Sequence, residues 1–411
     1  MTARRVAVTG IGAVTPIGIG AEGLWQGVLA NRSAVRAVDR FDASPFPSQV
    51  AAQVDGFRPE DHLDAKRARR LDRFSQFSVA AARMAAEEAG WTDASRSADR
   101  TGVWIGSALG GVAFGEEQHA NYVQRGVRAV APTLATAVFG GAGASNVSID
   151  QGIRGPAVGN ANSCASGAMA IGQAFHAIRA GIVDAALAGG AEAPLAPLTF
   201  GAFAMIRVLS SRNGDPEHAS RPFDVDRDGF VMGEGSAILA LEAWDAAEAR
   251  GAEILGEVVG FGASTDAYHL TAPLPSGEAA AAAVTTALAD GDVAASEIGY
   301  VNAHASSTQL NEPAEARALN LALGAHARTI PVSGTKGLYG HALGASGAFE
   351  AAITVMALHA GCLPGTCNLV NLDPEVELNV LREPMSASPA AALSTSFGFG
   401  GMNAALVFRA A

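Results

Sequence analysis

The sequence is poor in cysteine and in charge. Its 411 residues include 3 Cys, and Asp, Glu, Lys and Arg together make up only 17%. Three thiols cannot all pair with one another. Cys362 and Cys367 flank a Leu-Pro-Gly-Thr segment without metal-ligand spacing to nearby histidines, so a disulfide scaffold is excluded and a reducing cytosol fits the composition. Positive charge is also scarce. The 28 Lys+Arg stand against 40 Asp+Glu, a formal charge of −12, which excludes a basic nucleic-acid module. The N-terminal stretch passes from Arg4 and Arg5 into a strand-like segment, with no apolar h-region and cleavage site; no export signal is expected. Residues 351–372 carry no charge, but Gly361, Pro364, Gly365, Asn368 and Asn371 interrupt them. They read as a buried helix followed by a loop, and no membrane span is expected.

No proline- or serine-rich linker and no charge run divides the chain. With 49% hydrophobic residues, it has more apolar matter than a small monomer needs, which suits a wide body that forms oligomers. Internal resemblance says more than any boundary signal. Val6-Ala-Val-Thr-Gly-Ile-Gly-Ala-Val-Thr is echoed by Glu257-Val-Val-Gly-Phe-Gly-Ala-Ser-Thr, and Gly102-Val-Trp-Ile-Gly-Ser107 by Gly299-Tyr-Val-Asn-Ala-His304. The segment from Cys164 to Gly181 aligns without a gap on that from Gly344 to Gly361, each a helix ended by a glycine cap. Two similar α/β halves are expected, 1–250 and 251–411, with corresponding helices meeting in the middle. Apolar runs such as Ala185-Ala-Leu-Ala-Gly lack alternation, as in strands covered on both faces.

Three residues stand out for chemistry. Cys164 follows a strand-like Pro-Ala-Val and a polar turn and opens a small-residue helix, where free amide N–H groups and the helix dipole favour thiolate. His304 lies at a strand end entering a hydroxyl-rich loop. His341 precedes by one helical turn the position that aligns with Cys164, so the repeat brings all three together. Two histidines without an adjacent carboxylate suit neutral donors to a carbonyl oxygen gaining negative charge better than a hydrolytic relay. Lys336 could stabilise charge or hold a carboxylate such as Glu315, and Thr395-Ser-Phe-Gly-Phe-Gly-Gly-Met-Asn could offer backbone N–H groups to an oxyanion.

Cys164 in Ser-Cys-Ala-Ser-Gly, His304 in Asn-Ala-His-Ala-Ser-Ser-Thr, Lys336 and His341 in Gly-Thr-Lys-(x)4-His, and Ser-Phe-Gly-Phe-Gly-Gly together resemble the β-ketoacyl-ACP synthases, condensing enzymes of the thiolase superfamily. The resemblance covers nearly the whole chain. It implies a five-layered α-β-α-β-α fold, a homodimer or a heterodimer with a related chain-length-factor subunit, and decarboxylative Claisen condensation of malonyl-carrier with a Cys-bound acyl chain. It implies no redox cofactor and no catalytic metal. Carried over, Cys164 takes the acyl chain, the backbone N–H groups of Cys164 and Phe399 hold the oxyanion, and His304 and His341 stabilise the enolate. Lys336 pairs with Glu315; Ser306 and Thr308 bind pantetheine; Phe399 gates the acyl chain; Leu109 and Phe203 shape its pocket. Asn302, Ala303, Glu350 and Ser394 resemble a structural monovalent-cation site, with Thr395 in the place of an expected Asn.

Lys66, Arg67, Arg69, Arg70 and Arg73 form a basic cluster in an acidic protein. Of these, Lys66, Arg69 and Arg70 match the family's surface for acidic carrier proteins, as do Arg128 and Arg207, and local positive charge would steer such a partner. Three departures leave the reactive groups intact: Ala305 for Gly, Glu312 for Asp and Met402 for Thr. With segments such as Phe41-Asp-Ala-Ser-Pro-Phe and His218-Ala-Ser-Arg-Pro-Phe-Asp, which resemble type II polyketide ketosynthases, they point to a specialised polyketide or fatty-acid pathway. Two alternatives remain at this stage, a non-catalytic subunit that sets chain length and a cysteine hydrolase.

Overall fold

The computed structural model describes residues 4–92 and 95–411; residues 1–3 of the N-terminal stretch lie outside the described residues. The first part runs β1 (Val6–Thr15), α1 (Arg73–Glu88), β2 (Thr101–Gly106), α2 (Val112–Arg125), α3 (Ala142–Gln151), β3 (Ala157–Asn160), α4 (Ser166–Arg179), β4 (Ala185–Glu192), α5 (Pro197–Met205) and β5 (Gly235–Ala243). The second runs β6 (Gly256–Thr265), α6 (Glu278–Asp290), β7 (Ile298–Asn302), α7 (Asn311–Leu323), β8 (Pro331–Ser333), α8 (Ser346–Ala360), β9 (Asn379–Val380), β10 (Ala391–Gly398) and β11 (Met402–Arg409).

From the centre outward, the first array is ordered β1-β5-β4-β2-β3 and the second β6-β11-β10-β7-β8, with β9 added at the far edge. Position by position the two orders are the same, and so are the senses. β2 is parallel to β3 and β4, as β7 is to β8 and β10. The arrays join where β1 pairs antiparallel with β6 across Val6–Val258. Residues 250 and 251 lie in the turn that leads from one array to the other, where Gly251 has φ +72°.

Three apolar clusters make the layers. α1 and α3 cover the outer face of the first array through Phe74, Phe77 and Val147 against Ile105, Leu187 and Ile238. α6 and α7 cover the outer face of the second through Val284, Leu288 and Leu319. α4 and α8 lie between the arrays, with Ile171, Phe175, Phe349 and Ile353 in one core. This is the α-β-α-β-α arrangement, and it explains why β4 reads as an apolar run: all eight of its residues are buried under helices on both faces.

Glycine lets the two central helices meet. A Cβ on Gly167 would lie 2.9 Å from the Ala348 amide nitrogen, and one on Gly347 would lie 3.0 Å from the Ala168 Cβ. The N-termini of α4 and α8 therefore sit side by side. The stretch Leu343–Ala360 is long and apolar enough to cross a membrane, but 83% of it is buried inside the molecule; it is a core helix, closed by Gly361 at φ +62°.

Candidate active site

Cys164 and His304 sit a few residues beyond strand ends, and His341 sits between two helical turns. After β3 the chain turns sharply at Ser163, whose φ of +52° is left-handed, and Leu343 repeats this in the second part with φ +43°. The cost of such a backbone at a non-glycine residue is about 1–3 kcal/mol, and here it places Cys164 at the head of the Ser163–Ala165 turn before α4. His304 follows β7 by two residues. His341 lies between the Lys336–Tyr339 turn and the Leu343–Ala345 turn. Cys164 Sγ lies 3.1 Å from His341 Nε2, and the His304 and His341 rings meet edge to face with centroids 5.2 Å apart.

All three line one cavity of about 200 Å³, together with Leu109, Phe203, Ser306, Thr308, Leu343 and Phe399. The Phe203 and Phe399 rings stack at 6.4 Å, and Ser306 Oγ and Thr308 Oγ1 are 2.8 Å apart.

Burial holds both imidazoles well below the usual histidine range, and the Lys336 charge pushes each the same way. Both rings are therefore neutral at neutral pH. The tautomer of His304 follows from its neighbour. Lys336 Nζ donates to His304 Nδ1 at 3.3 Å, to the His304 carbonyl oxygen and to Glu350 Oε1. Three acceptors match the three N–H bonds of an ammonium, so His304 Nδ1 accepts and Nε2 carries the proton. His341 Nδ1 faces Ser346 Oγ at 2.8 Å, a hydroxyl that can accept or donate, so this ring can switch tautomer.

The structure corrects two expectations. Lys336 pairs with Glu350, not with Glu315. Glu315 is engaged elsewhere: it accepts from the His304 and Ala305 N–H groups, both at 2.8 Å, from Thr395 Oγ1 at 2.7 Å and from Asn311 Nδ2 at 3.1 Å. It thereby anchors the histidine loop from below, while Glu312, three residues earlier on α7, accepts from the Ser307 N–H. The second correction concerns the thiol. Burial pushes Cys164 up rather than down, opposed by the Ser163 hydroxyl, the Lys336 charge and the Phe399 N–H. Desolvation of a group 6% exposed outweighs a helix terminus, so the sulfur rests as a thiol.

The cation-like residues divide. Asn302 Oδ1 accepts from Thr335 and Thr395 donates to Glu315, whereas Glu350 Oε2 and Ser394 Oγ are buried oxygens without a hydrogen-bond partner. Thr395, already donating to Glu315, adds no third free oxygen to these two. Among the described residues no group of three His, Cys, Asp or Glu gathers as a metal site.

The basic cluster divides as well. Arg67 is tied to Asp150, and Arg73 to the buried Glu234. Lys66, Arg69, Arg70, Arg128 and Arg207 are exposed, and none has an acidic partner among the described residues. Sequence reasoning missed Ser346, Glu350 as the lysine's partner, and Glu192. Ser346 had a signal, since it aligns with Ser166 in the repeat. The other two meet their partners only across elements.

Two central helices, duplicated sheets and a buried cysteine beside two neutral histidines define a thiolase-like acyl-transfer fold. Residues 3–247 match the family model "Beta-ketoacyl synthase, N-terminal domain", and residues 255–370 its C-terminal counterpart. The chain belongs to the β-ketoacyl synthase family. It is 43% identical over 407 residues to a 3-oxoacyl-[acyl-carrier-protein] synthase 2 of Synechocystis sp., covering 99% of this chain and 98% of that one. Two solved structures each superpose with a TM-score of 0.93 at 32% identity, covering 100% of both chains. One is a type II polyketide acyl-carrier protein in complex with its ketosynthase bound to the hexaketide; the other is the ishigamide ketosynthase/chain length factor.

Proposed function

We propose that this chain is a cytoplasmic β-ketoacyl-[acyl-carrier-protein] synthase that lengthens carrier-bound acyl chains by decarboxylative condensation, with the nucleophile drawn from 1–250 and both imidazoles from 251–411. The observation that carries this reading is the approach of Cys164 Sγ to His341 Nε2, with the His304 ring beside them in one cavity.

In the first half-reaction the Cys164 thiol, hydrogen-bonded to His341 Nε2, attacks the thioester carbonyl of an acyl pantetheine. His341 Nδ1–H then donates to Ser346. The N–H groups of Cys164 and Phe399 hold the tetrahedral oxyanion. The carbon–sulfur bond to pantetheine breaks, and the thiol proton leaves with the released pantetheine. In the second half-reaction His304 Nε2–H and His341 Nε2–H, the latter with Ser346 now donating to Nδ1, bond to the malonyl thioester oxygen. Loss of carbon dioxide leaves an enolate whose charge they carry. The enolate carbon attacks the acyl-cysteine carbonyl, a carbon–carbon bond forms, the carbon–sulfur bond to Cys164 breaks, and the sulfur leaves as thiolate and takes a proton from water.

Ser306 and Thr308 stand along the pantetheine path, Phe399 at the gate, and Leu109 and Phe203 against the acyl chain. Lys336 positions His304. Lys66, Arg69, Arg70, Arg128 and Arg207 form the surface for an acidic carrier protein. Among the described residues β3 pairs only with β2 and leaves an open edge, a template for strand pairing. Exposed Val138 and Phe139 flank α3 and exposed Ile149 lies on it. A second chain of this fold, either a copy or a related chain-length factor, completes that surface.

Incubation with a labelled acyl-carrier thioester and malonyl-carrier tests the assignment. A β-ketoacyl product supports it. Absence of Cys164 acylation would instead indicate a chain-length subunit, and free acid alone a hydrolase.

A further inference from the structure

Among the buried acids that the mechanism leaves unused is Glu192, which accepts from two of the residues that line the reactive cavity. Glu192, the last residue of β4, is 0% exposed, and among the described residues no Lys, Arg or His forms an ion pair with it. Its two oxygens accept four hydrogen bonds. Oε1 takes the Ser107 hydroxyl at 2.9 Å and the Leu109 N–H at 3.1 Å; Oε2 takes the Ala108 N–H at 2.7 Å and the Gly344 N–H at 3.0 Å.

These donors belong to the two segments that bound the reactive cavity from opposite parts of the chain. Ala108 and Leu109 form its wall, and Gly344 follows Leu343, also a wall residue, three positions after His341. The next residue along the chain, Ala193, lines a second cavity of about 810 Å³ together with Val112 and Leu195. Glu192 thus sits one residue from the wall of the second cavity and accepts hydrogen bonds from the wall of the first. Ser107 Oγ also accepts from the Gly110 N–H at 2.9 Å, so the whole Ser107–Gly110 turn is hung from this one carboxylate.

We propose that Glu192 is a positioning residue that latches the Leu109 wall to the Leu343–Ala345 turn, and so sets how deep an acyl chain reaches and how His341 is held. This rests on the ketosynthase reading of the cavity. Burial pushes the Glu192 carboxyl up to about 7, against four hydrogen bonds that favour its ionised form; a carboxamide in its place would turn an N–H₂ toward at least one backbone N–H donor. With the latch broken, Leu109 is free to yield. Longer chains then gain room, while short ones lose the wall they pack against.

The test uses the full-length chain with Glu192→Gln and, separately, Ser107→Ala. Acylation of Cys164 and condensation are followed with short- and long-chain saturated acyl-carrier thioesters. The inference predicts that the long-to-short ratio of kcat/KM rises about tenfold in Glu192→Gln, the range that one or two methylenes of pocket fit command, and shifts less in the same direction in Ser107→Ala. An equal loss for all chain lengths, or an unchanged ratio, overturns it. If Glu192→Gln does not fold, Ser107→Ala decides alone. Failure of the unsubstituted protein to acylate Cys164 would sink the ketosynthase reading itself, an outcome separate from a flat chain-length ratio.

Discussion

At the scale of single residues the site works by desolvation. Cys164, His304 and His341 are all held in their neutral forms by burial, which suits a thiol that gives up its proton only as it attacks and imidazoles that donate. Their identity was legible in the sequence because each sits in a short text of small residues, and because the repeat aligns Cys164 with Gly344. The thiol's protonation was not legible: the helix start that suggested thiolate is local, while the burial that opposes it comes from the whole fold. Ala305, where the sequence departs from the family's Gly, carries a backbone cost. Its φ is +38°, a left-handed backbone that a Cβ disfavours, and its methyl faces Gly334, where an added Cβ would come within 2.8 Å. Ala305→Gly should therefore stabilise the fold by about 0.5–1 kcal/mol, read as a higher denaturant midpoint at unchanged slope. A lower midpoint would show that the methyl's packing outweighs the strain.

At the scale of elements, the meeting of α4 and α8 positions the chemistry, since it brings the turns before both helices against each other. The gap-free alignment of Cys164–Gly181 on Gly344–Gly361 made the meeting readable, and it sets Gly167 and Gly347 at matching positions. Gly167→Val would drive side-chain atoms into the Ala348 backbone, and overpacking of this kind costs about 1–3 kcal/mol; the melting temperature should fall and Cys164 acylation should slow with it. An unchanged melting temperature together with full acylation would show that the helices can part without consequence. The Lys336–Glu350 pair belongs to this scale too. The partners are 14 residues apart on different elements, so no spacing rule could join them. The family-based choice of Glu315 failed because that carboxylate is already filled by four donors under the histidine loop.

At the scale of the molecule, a net charge of −12 surrounds a small group of exposed cations that have no acidic partner among the described residues. Arg67 and Arg73, which composition alone placed with them, are spent on internal ion pairs, a distinction that only the packing reveals. Replacing Lys66, Arg69 and Arg70 together by Glu should raise KM for an acidic carrier by about tenfold or more at low salt, with a smaller effect at high salt. Turnover of a carrier-free pantetheine thioester should stay the same. Equal losses on both substrates would mean that these side chains support the fold rather than the encounter. The duplicated order of strands was foreshadowed by the three repeated segments; the open edge of β3 was not, because four residues of ordinary composition do not announce where a sheet stops.

The most direct measurement is the intact mass of the His304→Ala protein after exposure to an acyl-carrier thioester, followed by peptide mapping and a chase with malonyl-carrier. An added acyl mass mapped to Cys164, persisting through the chase in the variant but discharged as β-ketoacyl product by the unsubstituted protein, is the predicted result. An acyl group on another residue, or product formed equally well without His304, would contradict the account.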